Sequence, residues 1–180
     1  MGNQMEFERK KNLEFKIKGH TLYLKGSIDE TTDYSNIMEA IESFTNFIAS
    51  EIEELVIDLS RVSHINSWGL KHWIGFLARL PVIQLRFRHC PLYFISLYSV
   101  APRVFGSRRN GGGIGRVESI LLEYECNNCG DIHLLSVPMK AIGHDRKGLV
   151  MPEAWCQVCQ VGSSAVVADS LIFLDQTLVA

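Results

Sequence analysis

Two Cys-x-x-Cys pairs, Cys126/Cys129 and Cys156/Cys159, set the tightest limit on what this chain can fold into. Cysteines three positions apart present both sulfurs from one tight turn, and Gly130 after the first pair lets the backbone bend back toward a common point. Each pair lies at the edge of a strand-like run, in "YECNNCGDIHLLSV" and "EAWCQVCQVGSSAVV", with 26 residues between them. Those residues read as hairpins plus the excursion "KAIGHDRKGLVMPEA".

The four sulfurs together make a tetrahedral set that suits Zn2+. With every position filled by protein no site is left for an activated water, so the expected role is structural, and ion binding becomes part of the folding free energy of this small module. Iron in the same geometry is an alternative, and redox dithiol chemistry is another. A redox dithiol normally opens a helix with a single pair, whereas two pairs at strand turns argue for cooperation. The fifth cysteine, Cys90, ends an apolar strand-like run and reads as a small core side chain.

The chain has 180 residues and is 47% hydrophobic, enough for one domain with a core plus a small module. Its formal charge is -2. Residues 1–115 carry 14 basic and 12 acidic side chains, and the remainder 4 and 8. The cysteine module is thus acidic, and four thiolates around a dication would add negative charge, so nucleic-acid binding through it is not expected. No apolar run reaches the roughly 18 residues of a membrane span, and the expectation is a soluble, cytoplasmic protein without membrane association.

Ahead of the cysteines, "LEFKIKGHTLYLKGSID" alternates apolar and polar residues on both sides of Lys18-Gly19-His20 and reads as a β-hairpin. "YSNIMEAIESFTNFI" places Ile37, Ile41, Phe44 and Ile48 at helical spacing, with Thr32 or Asp33 as cap. "ELVIDLS" is a continuous apolar strand of the kind buried mid-sheet. "SWGLKHWIGFLARLP" carries Leu70, Trp73, Ile74, Leu77 and Leu80 on one flank and stops at Pro81. "VIQLRFRHC" is the next strand, and "PLYFISLYS" a short helix with Pro91 in its first turn. This order predicts an α+β fold, a mixed sheet with helices packed on it, followed by the small β module. "GSRRNGGGIG" lacks a phosphate-loop motif and reads as a boundary. The expected division is residues 1–106, a linker at 107–115, and a zinc-ribbon-like module at 116–180.

No catalytic motif stands out. His20, His64, His72, His89, His133 and His144 are scattered, and neither H-E-x-x-H nor G-x-S-x-G occurs. Ser67 with His64 can be drawn as nucleophile and base, but their spacing does not guarantee contact. Asp29 and Glu30 read as charges ahead of a helix rather than as an acid/base pair. The chain is therefore expected not to be an enzyme.

The element order, with "LKGSIDE", "LVIDLSRVSHINSWGL" and "LRFRHCPLYFISL", resembles the STAS domain over about Leu13 to Phe105. That family includes bacterial anti-sigma-factor antagonists and the cytoplasmic tails of sulfate transporters. The resemblance implies a small mixed sheet with helices on one side and a non-enzymatic, partner-binding role in signal transduction. It also implies a switch at the start of the helix after the third strand, where an anti-sigma factor that is also a kinase phosphorylates a serine or threonine. Within "HINSWGL", Asn66 falls on the family's aspartate, Ser67 on its first and generally unphosphorylated serine, Trp68 on the phosphoacceptor and Gly69 on the glycine. Asp29 falls on the acidic position of the neighbouring loop.

The acceptor is therefore missing. An indole can neither take a phosphate nor repel an acidic partner, but it can form a hot spot in an interface or pack down on the hairpin. The expectation is a regulatory or adaptor protein of the anti-sigma-factor-antagonist type. It would bind an anti-sigma-factor or kinase-like partner through Asp29, Asn66, Ser67 and Trp68, without the usual phosphoacceptor. Two alternatives stand beside it, a phosphoswitched antagonist using Ser67 and a nucleic-acid-binding zinc ribbon. Assembly as a homodimer through exposed apolar ridges is compatible with the sequence.

Overall fold

The computed structural model describes residues 12–48, 52–106, 114–145 and 148–166. The described residues open with the hairpin of β1 (Leu13–Lys18) and β2 (Thr21–Ile28), turned at Gly19, whose φ of 56° suits a residue without a Cβ. Alternation in β2 sends Leu22 and Leu24 to the core and leaves Tyr23 and Lys25 on the outer side. Helix α1 (Ser35–Ile48) follows, with Asp33 Oδ1 accepting the Ser35 amide at 2.9 Å. Ile37 and Ile41 are buried as the spacing predicts, while the side chains of Phe44 and Ile48 lie outside the described residues.

β3 (Ile52–Ile65) is the central strand, and α2 (Ser67–Leu77) returns the chain to β4 (Val82–Arg88). A two-residue strand, β5 (Cys90–Pro91), precedes α3 (Leu92–Val100), so Pro91 stands just outside the helix rather than in its first turn. A 3₁₀ turn, Pro102–Phe105, leads toward β6 (Ile114–Val117). The first sheet runs β1-β2-β3-β4-β6, antiparallel only between β1 and β2. Parallel neighbours need crossovers, and α1 and α2 supply those between β2, β3 and β4, their apolar flanks lying on one face of the sheet. Of the linker expected at 107–115, residues 107–113 lie outside the described residues. Ile114 and Gly115 pair with Gln84 and Leu85 of β4.

The core between helices and sheet centres on Trp73, 0% exposed. Its ring lies 5.7 Å from those of Phe76 and Phe94 and 6.4 Å from that of Phe87, and its Nε1 donates to the Val104 carbonyl at 2.7 Å. Tyr34 stacks on Phe76 at 4.5 Å, tying the start of α1 to α2.

β3 is longer than the apolar run that announces it. Residues 60–65 continue alongside β2 as far as Ile28 opposite Ile65, through two irregularities in register. The pairing therefore carries the strand to the first residue before the α2 cap.

The second sheet is built around β7 (Ser119–Cys126), which starts one residue beyond the end of β6. Along one side β7 pairs with β8 (Ile132–Pro138). It also pairs with β5 through Ile120 and Leu121, and with β12 (Gly162–Ala165) through residues Tyr124 to Cys126. β11 (Ala154–Trp155) adds to β12, while β9 (Gly143–Asp145) and β10 (Gly148–Val150) form a separate two-stranded ribbon.

The chain thus crosses from the first sheet to the second at His89 and again at Glu118, having returned to the first between them through α3. His89 takes a φ of 52°, uncommon for a residue with a side chain, and is fixed there from two directions. Its amide donates to Ser119 Oγ at 2.9 Å, and its Nδ1 lies 2.8 Å from Oδ2 of buried Asp58. Burial pushes the Asp58 carboxyl up, but hydrogen bonds from Ser60 and His89 outweigh it and hold the carboxyl below its usual range.

Asp58→Asn should cost about 1.5–3 kcal/mol at neutral pH. A depressed carboxylate contributes stability above the unfolded-state value of about 3.9, and that contribution is lost as pH falls through the folded-state value. Urea titrations of both proteins should therefore show a stability gap that closes on acidification, and a gap independent of pH would contradict this role.

Candidate metal centre and partner surface

Each Cys-x-x-Cys pair closes the same kind of turn. After the first, the Gly130 amide donates to the Cys126 carbonyl at 3.0 Å and the Cys126 amide to that of Asp131 at 2.9 Å. After the second, Gln160 donates to Cys156 at 3.0 Å and Cys156 to Val161 at 2.9 Å. Both turns need a left-handed residue, Gly130 at φ 70° and Gln160 at φ 59°. The first is legible as glycine; the second is not, because glutamine carries no such signal.

Pairing of β7 with β12 sets Cys126 opposite Ser163, which brings the two turns face to face. The sulfurs of Cys126, Cys129, Cys156 and Cys159 all lie within 4.8 Å of one another. Cys126 and Cys159 are 3.4 Å apart, Cys129 and Cys156 3.7 Å, and Cys129 and Cys159 3.8 Å. Zinc–sulfur bonds of about 2.3 Å would place tetrahedral sulfurs about 3.8 Å apart, so the cluster fits a metal ion of that size.

Backbone amides already point at three of the sulfurs. Asn128 and Cys129 donate to Cys126 Sγ at 3.4 and 3.5 Å, and Val158 donates to Cys156 Sγ at 3.4 Å. Without an ion the thiols divide their protons. The Cys159 amide first, with His133 and Val158 assisting, brings Cys156 down to about 6. The Asp131 amide draws Cys129 down, but the Cys126, Cys156 and Cys159 thiols together outweigh it and push Cys129 up to about 12.

One neighbour of the cluster was not singled out by spacing. His133, on β8 opposite Tyr124, places Nε2 3.3 Å from Cys156 Sγ and 3.5 Å from Asp131 Oδ2. Its only sequence signal is a position seven residues after Cys126, across the β7–β8 hairpin. Cys90 lies apart from the cluster, fully buried, and burial pushes its thiol well above the ordinary range.

The second set of candidate residues gathers at the start of α2. Asn66 caps the helix, its Oδ1 accepting the Gly69 amide at 2.7 Å and its Nδ2 donating to Glu30 at 2.7 Å. Its own amide donates to the Ile28 carbonyl at 3.1 Å, binding the helix start to the end of β2. A Cβ at Gly69 would collide with that carbonyl, so glycine is required by the close approach.

Asp29 is held by the Thr31 hydroxyl at 2.7 Å, the Thr31 amide and Asn12 Nδ2 at 2.9 Å each, and Ser27 at 3.3 Å. The Thr31 hydroxyl is the main cause that keeps this carboxyl below its usual range. Asn12 lies just ahead of β1, where nothing in the alternation pattern marks it as part of the loop.

Ser67 is exposed, and with Asn66 acting as cap its hydroxyl makes no hydrogen bond among the described residues. Trp68 is 60% exposed rather than packed on the hairpin, with Lys71 Nζ 5.6 Å from its ring centre. Ser67 and His64 share no hydrogen bond among the described residues; the carboxylate of Asp58 orients His89 instead.

Replacing Gln160 by glycine should relieve left-handed strain and stabilise the second turn by about 0.5–1 kcal/mol. The check is thermal unfolding of the metal-loaded protein, where an unchanged or lowered midpoint would contradict the strain.

Among the described residues no helix is long and apolar enough to cross a membrane. In comparisons with known proteins, the chain matched no protein-family model, no curated protein and no solved structure.

Proposed function

We propose that this is a cytoplasmic, non-enzymatic regulatory or adaptor protein of the anti-sigma-factor-antagonist type. It binds a protein partner through the start of α2 and carries a structural zinc ion on Cys126, Cys129, Cys156 and Cys159. The observation that carries the partner role is the exposed indole of Trp68, beside the fixed acidic loop of Asp29 and Glu30. A large ring left in water at a helix start gains the most by burial against another protein. The surrounding groups are already ordered by hydrogen bonds, so little further ordering opposes association.

The STAS resemblance supplies the kind of partner, an anti-sigma-factor or kinase-like regulator. Trp68 in place of the phosphoacceptor makes the contact independent of phosphorylation. The donor chemistry of four sulfurs at near-tetrahedral spacing supports zinc. A switch at Ser67 is the second reading, favoured by its exposed side chain, whose hydroxyl makes no hydrogen bond among the described residues.

Trp68→Ala is expected to weaken binding to an identified partner by about 2 kcal/mol or more, roughly thirtyfold, with the thermal midpoint of the free protein unchanged. Titration calorimetry of wild type and variant checks this, and unchanged affinity would remove Trp68 from the interface. Phosphopeptide mass spectrometry after incubation with the partner separates the second reading, since a modified Ser67 would favour it over the first.

A further inference from the structure

The four sulfurs of the cluster are not equivalent, and the differences concern access and hydrogen bonding. Cys126 and Cys156 are buried, Cys159 is half-buried and Cys129 is exposed. Cys126 accepts two amide hydrogen bonds through its sulfur. Cys156 accepts two, from the Cys159 and Val158 amides, and lies 3.3 Å from His133 Nε2. That nitrogen sits between a sulfur and the Asp131 carboxylate, and both neighbours carry lone pairs and negative charge when a metal is bound. The proton of a neutral imidazole therefore resides on Nε2 and points at acceptors. Each hydrogen bond to a thiolate draws density from the sulfur and reduces its nucleophilicity. Cys129 combines the greatest exposure with a single amide hydrogen bond to its sulfur, from Asp131, against two at Cys126 and two plus His133 at Cys156.

Resting on the reading of the cluster as a zinc site, we propose that Cys129 is the modification site through which soft electrophiles open the metal centre, while His133 protects Cys156 from the same attack. With an α,β-unsaturated carbonyl the step is balanced as an addition. A lone pair of the Cys129 thiolate forms a bond to the alkene carbon distal to the carbonyl, the π pair moves to the carbon beside the carbonyl, and that carbon takes a proton from water, which leaves as hydroxide. The alkylated sulfur is a neutral thioether and a poor ligand, so its metal–sulfur bond breaks. The remaining three thiolates hold the ion less tightly, and the second sheet loses the connection between its two turns. His133 is a positioning residue here. It touches the protected thiolate and leaves the reacting one alone.

The test uses the purified full chain with its metal content first established by elemental analysis. Limiting N-ethylmaleimide is added, site occupancy is followed by peptide mass spectrometry, and released metal is read with a chromophoric chelator. Cys129 should be modified about tenfold faster than Cys156 or Cys126, and metal release should track Cys129 occupancy. His133→Phe should raise the rate at Cys156 by about tenfold, and His133→Gln, which keeps an N–H donor, should largely restore protection. Even modification of all four cysteines, first attack at Cys156, or an unchanged Cys156 rate in His133→Phe would overturn the proposal. A chain purified without stoichiometric metal would instead overturn the zinc reading on which it rests. Cys129→Ser serves as a second variant: its metal, where retained, should resist release by the maleimide.

Discussion

Four sulfur atoms within 4.8 Å of one another are the constraint on which the second sheet depends. The Cys159 amide brings Cys156 down to about 6, while the neighbouring thiols push Cys129 up to about 12 against the pull of the Asp131 amide, so without a cation the four do not ionise together. A dication at the centre would remove that conflict and let all four carry charge. The rest of the module is arranged to permit this. β7 and β12 are paired so that the two turns meet, and each turn is closed by the same pair of backbone hydrogen bonds. Residues 132 to 166 include many short strands, and exposed Ile132, Leu134, Trp155 and Val158 contribute little burial, so a covalent-like staple is the natural substitute for a core.

The first sheet is held in the opposite way. Trp73 and the rings around it fill the space between α1, α2, α3 and the inner face of the strands, and no ion is needed for that burial to be favourable. The two regions are joined by main chain and by the Asp58–His89–Ser119 contacts, while Ile120, Leu122 and Tyr124 of β7 belong to the same buried cluster as Trp73. β7 therefore has one end in the hydrophobic core and the other, at Cys126, in the cysteine cluster. This geometry gives the proposed partner surface, at the start of α2, a rigid support that does not rely on the cysteines.

Much of this was legible because the signals are local. Alternation around Gly19, helical spacing in Ile37 and Ile41, and the cysteine spacing each report on a few consecutive residues. What was not legible arises from pairing at a distance. Residues 60–65 lack an apolar run, and they extend β3 because β2 lies alongside. Ile114 and Gly115 look like part of a glycine-rich linker, and they become strand because the edge of β4 accepts them. Asp58 is a charge within an apolar strand whose partner, His89, lies 31 residues later and meets it only in the fold. Trp68 was ambiguous for a related reason, since only the position of the hairpin decides whether the ring packs down or stays in water. His133 reaches the cluster solely through the register of β8 on β7.

The central claim is a division of labour, with an ion holding the second sheet and a hydrophobic core holding the first. Amide hydrogen exchange on the metal-loaded protein, repeated after removal of the metal by a chelator, tests it most directly. Protection should collapse in β11, β12 and the Cys126 end of β7 while β3, β4 and α2 keep theirs. Unchanged protection throughout, or loss spread equally over both sheets, would contradict the claim.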